Sequence, residues 1–387
     1  GPPYELFARL RLESPIHRHA EQGGPGFWAV TRYDDVVEVS RDSATYSSYA
    51  GGTMIADANP EQLFVVRQMM LNMDPPQHTK LRALINKGFT PRRVADHEPR
   101  VREICRDLIA RVAPKGRCDF VAEVAAPLPM IMIGDMLGVR PEDRDMLLRW
   151  SDDMIKGSAA SAPVELQMGA VNAFTEYAAY NKDVVADRRR RGPGDDLISV
   201  LVHAEIDGHR LDDDELLQES LLILIGGDET TRHVLTGGME ALLRNPGERR
   251  KILDDPKKLP LAIEEMLRWV SPIKNMARTA TRDVELRGET VREGDKLLLL
   301  YHSANRDERV FHEPQRFIAD REPNQHLAFG GYGAHFCLGA SLARLELRVM
   351  FEELLRWLPD ATLEHDAKLP LRPSNFIVGI EEMPIAF

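Results

Sequence analysis

Cysteine is scarce: 387 residues carry only Cys105, Cys118 and Cys337, an odd count with no Cys-x-x-Cys spacing. That does not suggest a disulfide framework or a structural zinc site, and a reducing cytoplasm fits it best. Long apolar runs are missing too. The longest, Leu221 to Ile225, falls far short of the roughly 18 to 20 residues a bilayer-spanning helix needs, so no membrane span is expected. Basic excess is absent: 50 Lys+Arg against 61 Asp+Glu leave a net charge of −11, which argues against a nucleic-acid partner. The one basic run, Arg188 to Arg191, stops at Gly192-Pro193-Gly194 and reads as a solvated helix end. No Gly/Ser or Pro-rich linker and no internal repeat interrupts the chain, so residues 1–387 are expected to form a single large unit.

What is present is mostly helix. Asp212 followed by Glu215 resembles a capping box, and a proline-free apolar pattern then runs to Arg244, where Asn245-Pro246 ends it. Further helices are predicted over Val101 to Val112, Pro141 to Ile155, Val171 to Arg190, Leu259 to Val270 and Leu338 to Leu358. Strand signals are short: Phe27 to Thr31, Val284 to Leu286, Val291, Leu297 to Tyr301 and Phe376 to Ile380. The fold class is mainly α with a minor β region.

Cys337 ends a glycine-rich segment, Phe329-Gly330-Gly331-Tyr332-Gly333-Ala334-His335-Phe336, and is followed by Leu338-Gly339 and a strongly helix-forming stretch. Glycine there permits positive φ and lets something large approach the backbone. A cysteine at a helix start faces N–H groups that favour thiolate over thiol, and a thiolate is a good soft ligand for iron. Taken alone, the same residue is also readable as a small buried cysteine beside a tight turn.

Three other groups of residues stand out. Gly226 and Gly227 lie in the middle of the long helix, each costing about 1 kcal/mol relative to alanine, and are followed by Asp228-Glu229-Thr230-Thr231. Close helix crossing and a Thr hydroxyl bonded back one turn would explain them structurally. His78 and Arg82 stand at i and i+4 after the Asp74-Pro75-Pro76 break, on one helical face. Glu265-x-x-Arg268 is an i,i+3 pair, ordinarily a surface ion pair worth a few tenths of a kcal/mol.

In order and spacing from about Ala29 to Phe387, these motifs resemble the cytochromes P450. The resemblance implies the P450 fold around haem b, with Cys337 as the metal ligand in a loop formed by Phe329, Gly330, Gly333, His335 and Gly339. It implies that His78, Arg82, Arg278 and His335 bind the haem propionates, which as carboxylates need cationic or strong donor partners. Glu229 and Thr230 fall on the acid and alcohol that deliver protons for oxygen activation, with Asp228 an extra acid beside them. Glu265 and Arg268 belong to a structural Glu-Arg-Arg network, whose third member is expected in the Phe311 to Phe317 segment as Arg316. One departure is visible: Phe329 lies eight residues before Cys337 where the family usually has seven, an extra residue in the Gly330–Gly333 stretch.

Segments such as RDMLLRWSDD, ILIGGDETTRHVL, AIEEMLRW and LRPSNF resemble in particular the actinobacterial P450s that oxidise the terminal methyl of the cholesterol side chain. The implied reaction is hydroxylation of an unactivated C–H bond of a small lipophilic substrate, cholesterol or cholest-4-en-3-one, with electrons from a ferredoxin and its ferredoxin reductase. Leu224, Ile225, Gly226, Met276, Ala277, Ile377 and Val378 are candidate substrate-lining residues. Lys80, Arg344 and Arg348 are candidate positive charges for docking the ferredoxin. Alternatives are a P450 tailoring a non-steroid secondary metabolite, a haem-thiolate sensor and a helical binding module. The acid–Thr pair argues against a sensor, which has no use for proton delivery.

Overall fold

A computed structural model describes residues 2–21, 23–158, 162–365 and 368–387. The chain divides into two compact units, one made of Gly1–Ala83, Ile273–Arg316 and Gln325–Cys337, the other of Leu84–Pro272, Phe317–Asn324 and Leu338–Phe387.

The first unit is built on a five-stranded sheet in the order Ile16–His19, Phe27–Val30, Lys296–Leu300, Asn275–Ala280, Tyr46–Ser47. Phe27–Val30 runs parallel to Lys296–Leu300, with Trp28 opposite Leu297; the other pairings are antiparallel. Leu297, Leu298 and Leu299 are all buried, so this strand is covered on both faces and reads as an unbroken apolar run instead of an alternation. Val30, Val36, Leu297, Leu299, Phe311 and Leu327 are part of its core. A separate hairpin, Val284–Leu286 with Glu289–Val291, closes through Arg287 and Gly288, both at positive φ, as a two-residue turn of matching twist requires.

The second unit is helical. Its longest element, Asp213–Arg244, begins at the expected capping box, Asp212 and Glu215 each accepting the other's backbone N–H, and ends at Asn245. Gly227 is a contact glycine, since a Cβ there would stand 2.7 Å from Ile133 of the Pro127–Leu137 helix. Gly238 is another, against Met266 of Leu259–Val270. Gly226 differs: an added Cβ would meet nothing within 4 Å. A small sheet, Arg117–Asp119, Pro384–Ala386 and Thr362–Leu363, completes the unit. The basic run caps the Val164–Arg191 helix as expected, with Arg188 donating to the Gly138 carbonyl and Arg190 and Arg191 paired with Asp187.

Phe376 to Ile380, expected as a strand, is not one. Ser374 Oγ takes the N–H groups of Phe376 and Ile377, and the segment carries isolated bridges, among them Leu371 to Ile380, instead of a strand. The Glu-Arg-Arg network also needs a correction. Glu265 and Arg268 form a buried bidentate pair, and the third member is Arg321, whose Nε donates to Glu265 Oε2 at 2.9 Å. Arg316 is 64% exposed and pairs with Glu313. Arg321 is preferred because Glu265 also accepts from the Ile318 backbone and from Asn324 Nδ2, a turn that brings residue 321 inward.

Candidate functional site

In the first unit, the helix Gln77–Ile85 begins after Asp74-Pro75-Pro76 as expected and carries His78 and Arg82 one turn apart. The His78 ring lies 4.2 Å, centroid to centroid, from that of His335, whose Nε2 is 3.2 Å from Ser48 Oγ. Arg82 donates to the Phe336 carbonyl, and buried Arg278 donates to its own neighbour's carbonyl at Ala277. Four nitrogen-bearing side chains are thus gathered with little negative charge among them. The nearby carboxylate, Asp74, is engaged by Ser47 Oγ and the Ser48 N–H.

The electrostatics follow from that gathering. Burial, then Arg82, pull His78 down to about 4, with Arg278 adding to the effect. His335 is lowered by burial, then by Arg278, His78 and Arg82. Both ring nitrogens of His78 are buried without a hydrogen-bond partner among the described residues. Such a cluster costs free energy by itself and is relieved by an anion.

The loop before Cys337 absorbs its extra residue locally. Gly330 has φ 96° and Tyr332 φ 61°, while the Tyr332 ring stacks on Phe336 at 5.8 Å. The closing hydrogen bond, Cys337 N–H to the Phe329 carbonyl at 2.9 Å, spans the insertion, so the two ends stay in register. Gly331 and Gly333 press on Ser40, where a Cβ at 333 would stand 1.8 Å from the Ser40 carbonyl oxygen. Cys337 is the exposed cysteine; Cys105 and Cys118 are buried, and burial pushes Cys118 up to about 12. Past it the chain enters the Ala340–Trp357 helix through Gly339. Gly339 has φ −81° and open space at its Cβ position, so the protein itself gives no reason for glycine there.

In the second unit, Thr230 Oγ1 donates to the Gly226 carbonyl at 3.0 Å, the bond back along the helix that a Thr at this spacing allows. Glu229 is 0% exposed and fully engaged. Arg232 Nη2 donates to its Oε1 and Arg372 Nη1 to its Oε2, both at 2.6 Å, and His233 Nε2 is 3.4 Å from Oε2. Both arginines also hold Asp152, which pairs in turn with Lys156. Burial alone would raise Glu229; His233, Arg232 and Arg372 outweigh it and hold the carboxyl below its ordinary range.

Sequence reasoning did not find Arg372, Asp152 or Arg321. Arg372 stands inside the LRPSNF segment, and a buried acid in mid-helix is the signal that a cation must come from elsewhere. Of the candidate lining residues, Leu224, Ala277 and Ile377 belong to the core, whereas Ile225, Gly226, Met276 and Val378 keep some exposure. Arg344 and Arg348 do not present open charge: Arg344 makes a bidentate pair with Glu264, and Arg348 pairs with Glu98 and Glu352. They flank a groove of about 320 Å³ lined also by Pro91, Val94, Ile263 and Leu345.

The profile of the Cytochrome P450 family matches residues 20–380. The chain belongs to the cytochrome P450 family. A steroid C26-monooxygenase of Mycolicibacterium smegmatis is 47% identical over 387 residues, 100% of this chain and 93% of the relative. A methyl-branched lipid omega-hydroxylase of Mycobacterium tuberculosis is 39% identical, covering 98% of this chain and 90% of the relative. Among solved structures, a Mycobacterium marinum cytochrome P450 in complex with pseudoionone superposes with a TM-score of 0.92 at 35% identity, over 99% of this chain and 94% of that one. The protein is therefore a P450 monooxygenase with haem b as cofactor. Its own residues fit that group: the cluster of His78, Arg82, Arg278 and His335 in the first unit, with both His78 ring nitrogens buried and unpartnered among the described residues, suits the two propionates.

Proposed function

We propose that this P450 hydroxylates the terminal methyl of a steroid side chain, with cholest-4-en-3-one or cholesterol as substrate. The observation that carries the substrate class is the 47% identity, over the whole chain, to a steroid C26-monooxygenase, against 39% to a lipid omega-hydroxylase. Ile225, Gly226 and Val378 in the second unit, and Met276 in the first, each keep some exposure and offer apolar surface of the kind an aliphatic chain prefers.

Cys337 binds the iron as thiolate; the tight Gly330–Gly333 turns fix its backbone through the Phe329 carbonyl. His78, Arg82, Arg278 and His335 hold the propionates, and the charge-assisted bonds so formed compensate their mutual repulsion. When bound, haem supplies the reduction of dioxygen and the insertion of one oxygen atom into the C–H bond. Thr230 holds a water and presents its proton, turning its hydroxyl from the Gly226 carbonyl; Glu229 restores the proton to that water. Arg232 and Arg372 orient Glu229. Electrons come from a ferredoxin served by a ferredoxin reductase, in the cytoplasm.

The test is a ligand titration of the ferric protein followed by product analysis. Cholest-4-en-3-one should shift the haem spectrum at low micromolar concentration, roughly −8 kcal/mol in binding, and yield the terminal alcohol. A shift with a macrolide or aromatic compound, and none with the steroid, would transfer the assignment to secondary-metabolite tailoring.

A further inference from the structure

Two acids stand side by side on the long helix, and the fold treats them oppositely. Glu229 accepts from two arginines. Asp228 is equally sealed, at 0% exposure, yet neither of its oxygens has a hydrogen-bond partner among the described residues.

The groups that face Asp228 explain the difference. Arg232, one turn along the same helix, spends its Nη2 on Glu229 and Asp152. The Arg144–Gly157 helix contributes Ser151, whose Oγ is buried and unbonded, and the acid Asp152. The Ala340–Trp357 helix contributes another acid, Glu346, which is 2% exposed with Oε2 unpartnered and has Cys105 of the Glu98–Val112 helix in its field. Ile133, against the adjoining Gly227, is apolar. A carboxylate sealed among acids, with no donor bonded to it, is costly; a neutral carboxyl group in the same place is not. Burial first, and Glu229 and Asp152 against the pull of Arg232 and Ser151, raise Asp228 to about 7. Glu346 is raised as well, by burial and then by Asp228. Neighbouring acids driven apart in this way mark the one that holds the proton and the one that does not.

We propose that Asp228 carries a proton in the resting protein and hands it to Glu229, so that the pair, and not Glu229 alone, feeds Thr230. The Asp228 O–H bond breaks as a Glu229 O–H bond forms, leaving Asp228 as the carboxylate. Glu229 then gives the proton to the water at Thr230, and Asp228 regains one from solvent. No electrons move in this transfer, and each engaged Glu229 oxygen retains lone-pair room for a proton. The proposal rests on the Glu229–Thr230 reading above.

Infrared spectroscopy of the substrate-free ferric protein tests it before any turnover. Wild type should show a carbonyl stretch of a protonated carboxyl group, shifted in D2O, that disappears with a midpoint near pH 7. Asp228→Asn should lack that band, while Glu229→Gln and Glu346→Gln should retain it. In turnover, Asp228→Asn should slow product formation by about tenfold or more with an enlarged solvent isotope effect, and Asp228→Glu should recover much of the loss. Absence of a titrating band in wild type, or its survival in Asp228→Asn, overturns the proposal. Failure of the steroid reading would appear instead as absence of product with the band intact.

Discussion

Arg372 donates from Nη1 to Oε2 of Glu229 at 2.6 Å, and both side chains are shut away from solvent. Nε of the same guanidinium binds Glu381, and the remaining nitrogen binds Asp152. The acid beside Thr230 is therefore tied to the C-terminal segment and to the Arg144–Gly157 helix.

Removing that tie has a definite pH signature. Glu229 is held below the ordinary carboxylate range, so it adds stability above that range and the contribution disappears as pH falls through the folded value. Arg372→Gln raises the folded value and leaves a buried carboxylate short of a cation, a loss of about 3–5 kcal/mol at neutral pH. Thermal melts across acidic pH should show a lower Tm and an acid transition displaced to higher pH. An unmoved transition would mean that Arg232 and His233 suffice.

Asp228 makes the opposite case. Its folded value is raised, so between the ordinary aspartate value and about 7 the unfolded chain ionises while the folded protein holds the proton, and stability falls as pH rises. Asp228→Asn should raise Tm at about pH 8 and change it little at about pH 4. Equal shifts at both would point to packing as the cause.

Arg321 and Arg316 can be separated by stability alone. Arg321→Ala takes a partner from fully buried Glu265 and should cost about 3–5 kcal/mol. Arg316→Ala removes an exposed i,i+3 pair, worth about 0–1 kcal/mol. Denaturant midpoints of the two variants decide between them.

Local signals in the sequence located much of this structure, and distant partners account for what they missed. The Asp212–Glu215 box and Asn245-Pro246 bound the long helix because capping is a short-range matter. Asn275–Ala280 carries no alternating pattern and becomes a strand because Lys296–Leu300 pairs with it. The Cys337 loop, His78 and Arg82 were legible as spacing; Arg372 and Asp152 were not, since nothing near either residue says which buried acid it will meet. The Phe311 to Phe317 motif pointed to Arg316, five residues before Arg321, which the Ile318 turn carries inward.

The cofactor cradle proposed above makes a prediction about affinity. Each charge-assisted bond to a propionate is worth about 1.5–3 kcal/mol, so Arg82→Ala or Arg278→Ala should weaken haem uptake by the apoprotein about 10- to 100-fold. Cys337→Ser should abolish the red-shifted band of the reduced carbon monoxide complex, whereas Cys105→Ser and Cys118→Ser, at buried thiols, should retain it. Retention of that band in Cys337→Ser would remove the ligand assignment.

Docking of the ferredoxin proposed above as electron donor follows from which cations are already spent. Arg344 and Arg348 are tied to Glu264, Glu98 and Glu352, so reversing them disturbs those pairs more than any open field. Arg92 and Arg93 are exposed, lie next to the groove residues Pro91 and Val94, and make no ion pair among the described residues. An acidic ferredoxin gains most from charge of that kind, chiefly in its association rate. Arg92→Glu with Arg93→Glu should slow ferredoxin-dependent reduction about tenfold at low salt and flatten its salt dependence. Stopped-flow reduction across ionic strengths checks this, with Arg344→Gln as the comparison expected to change the rate less. If the order of the two effects is reversed, the docking surface lies with Arg344.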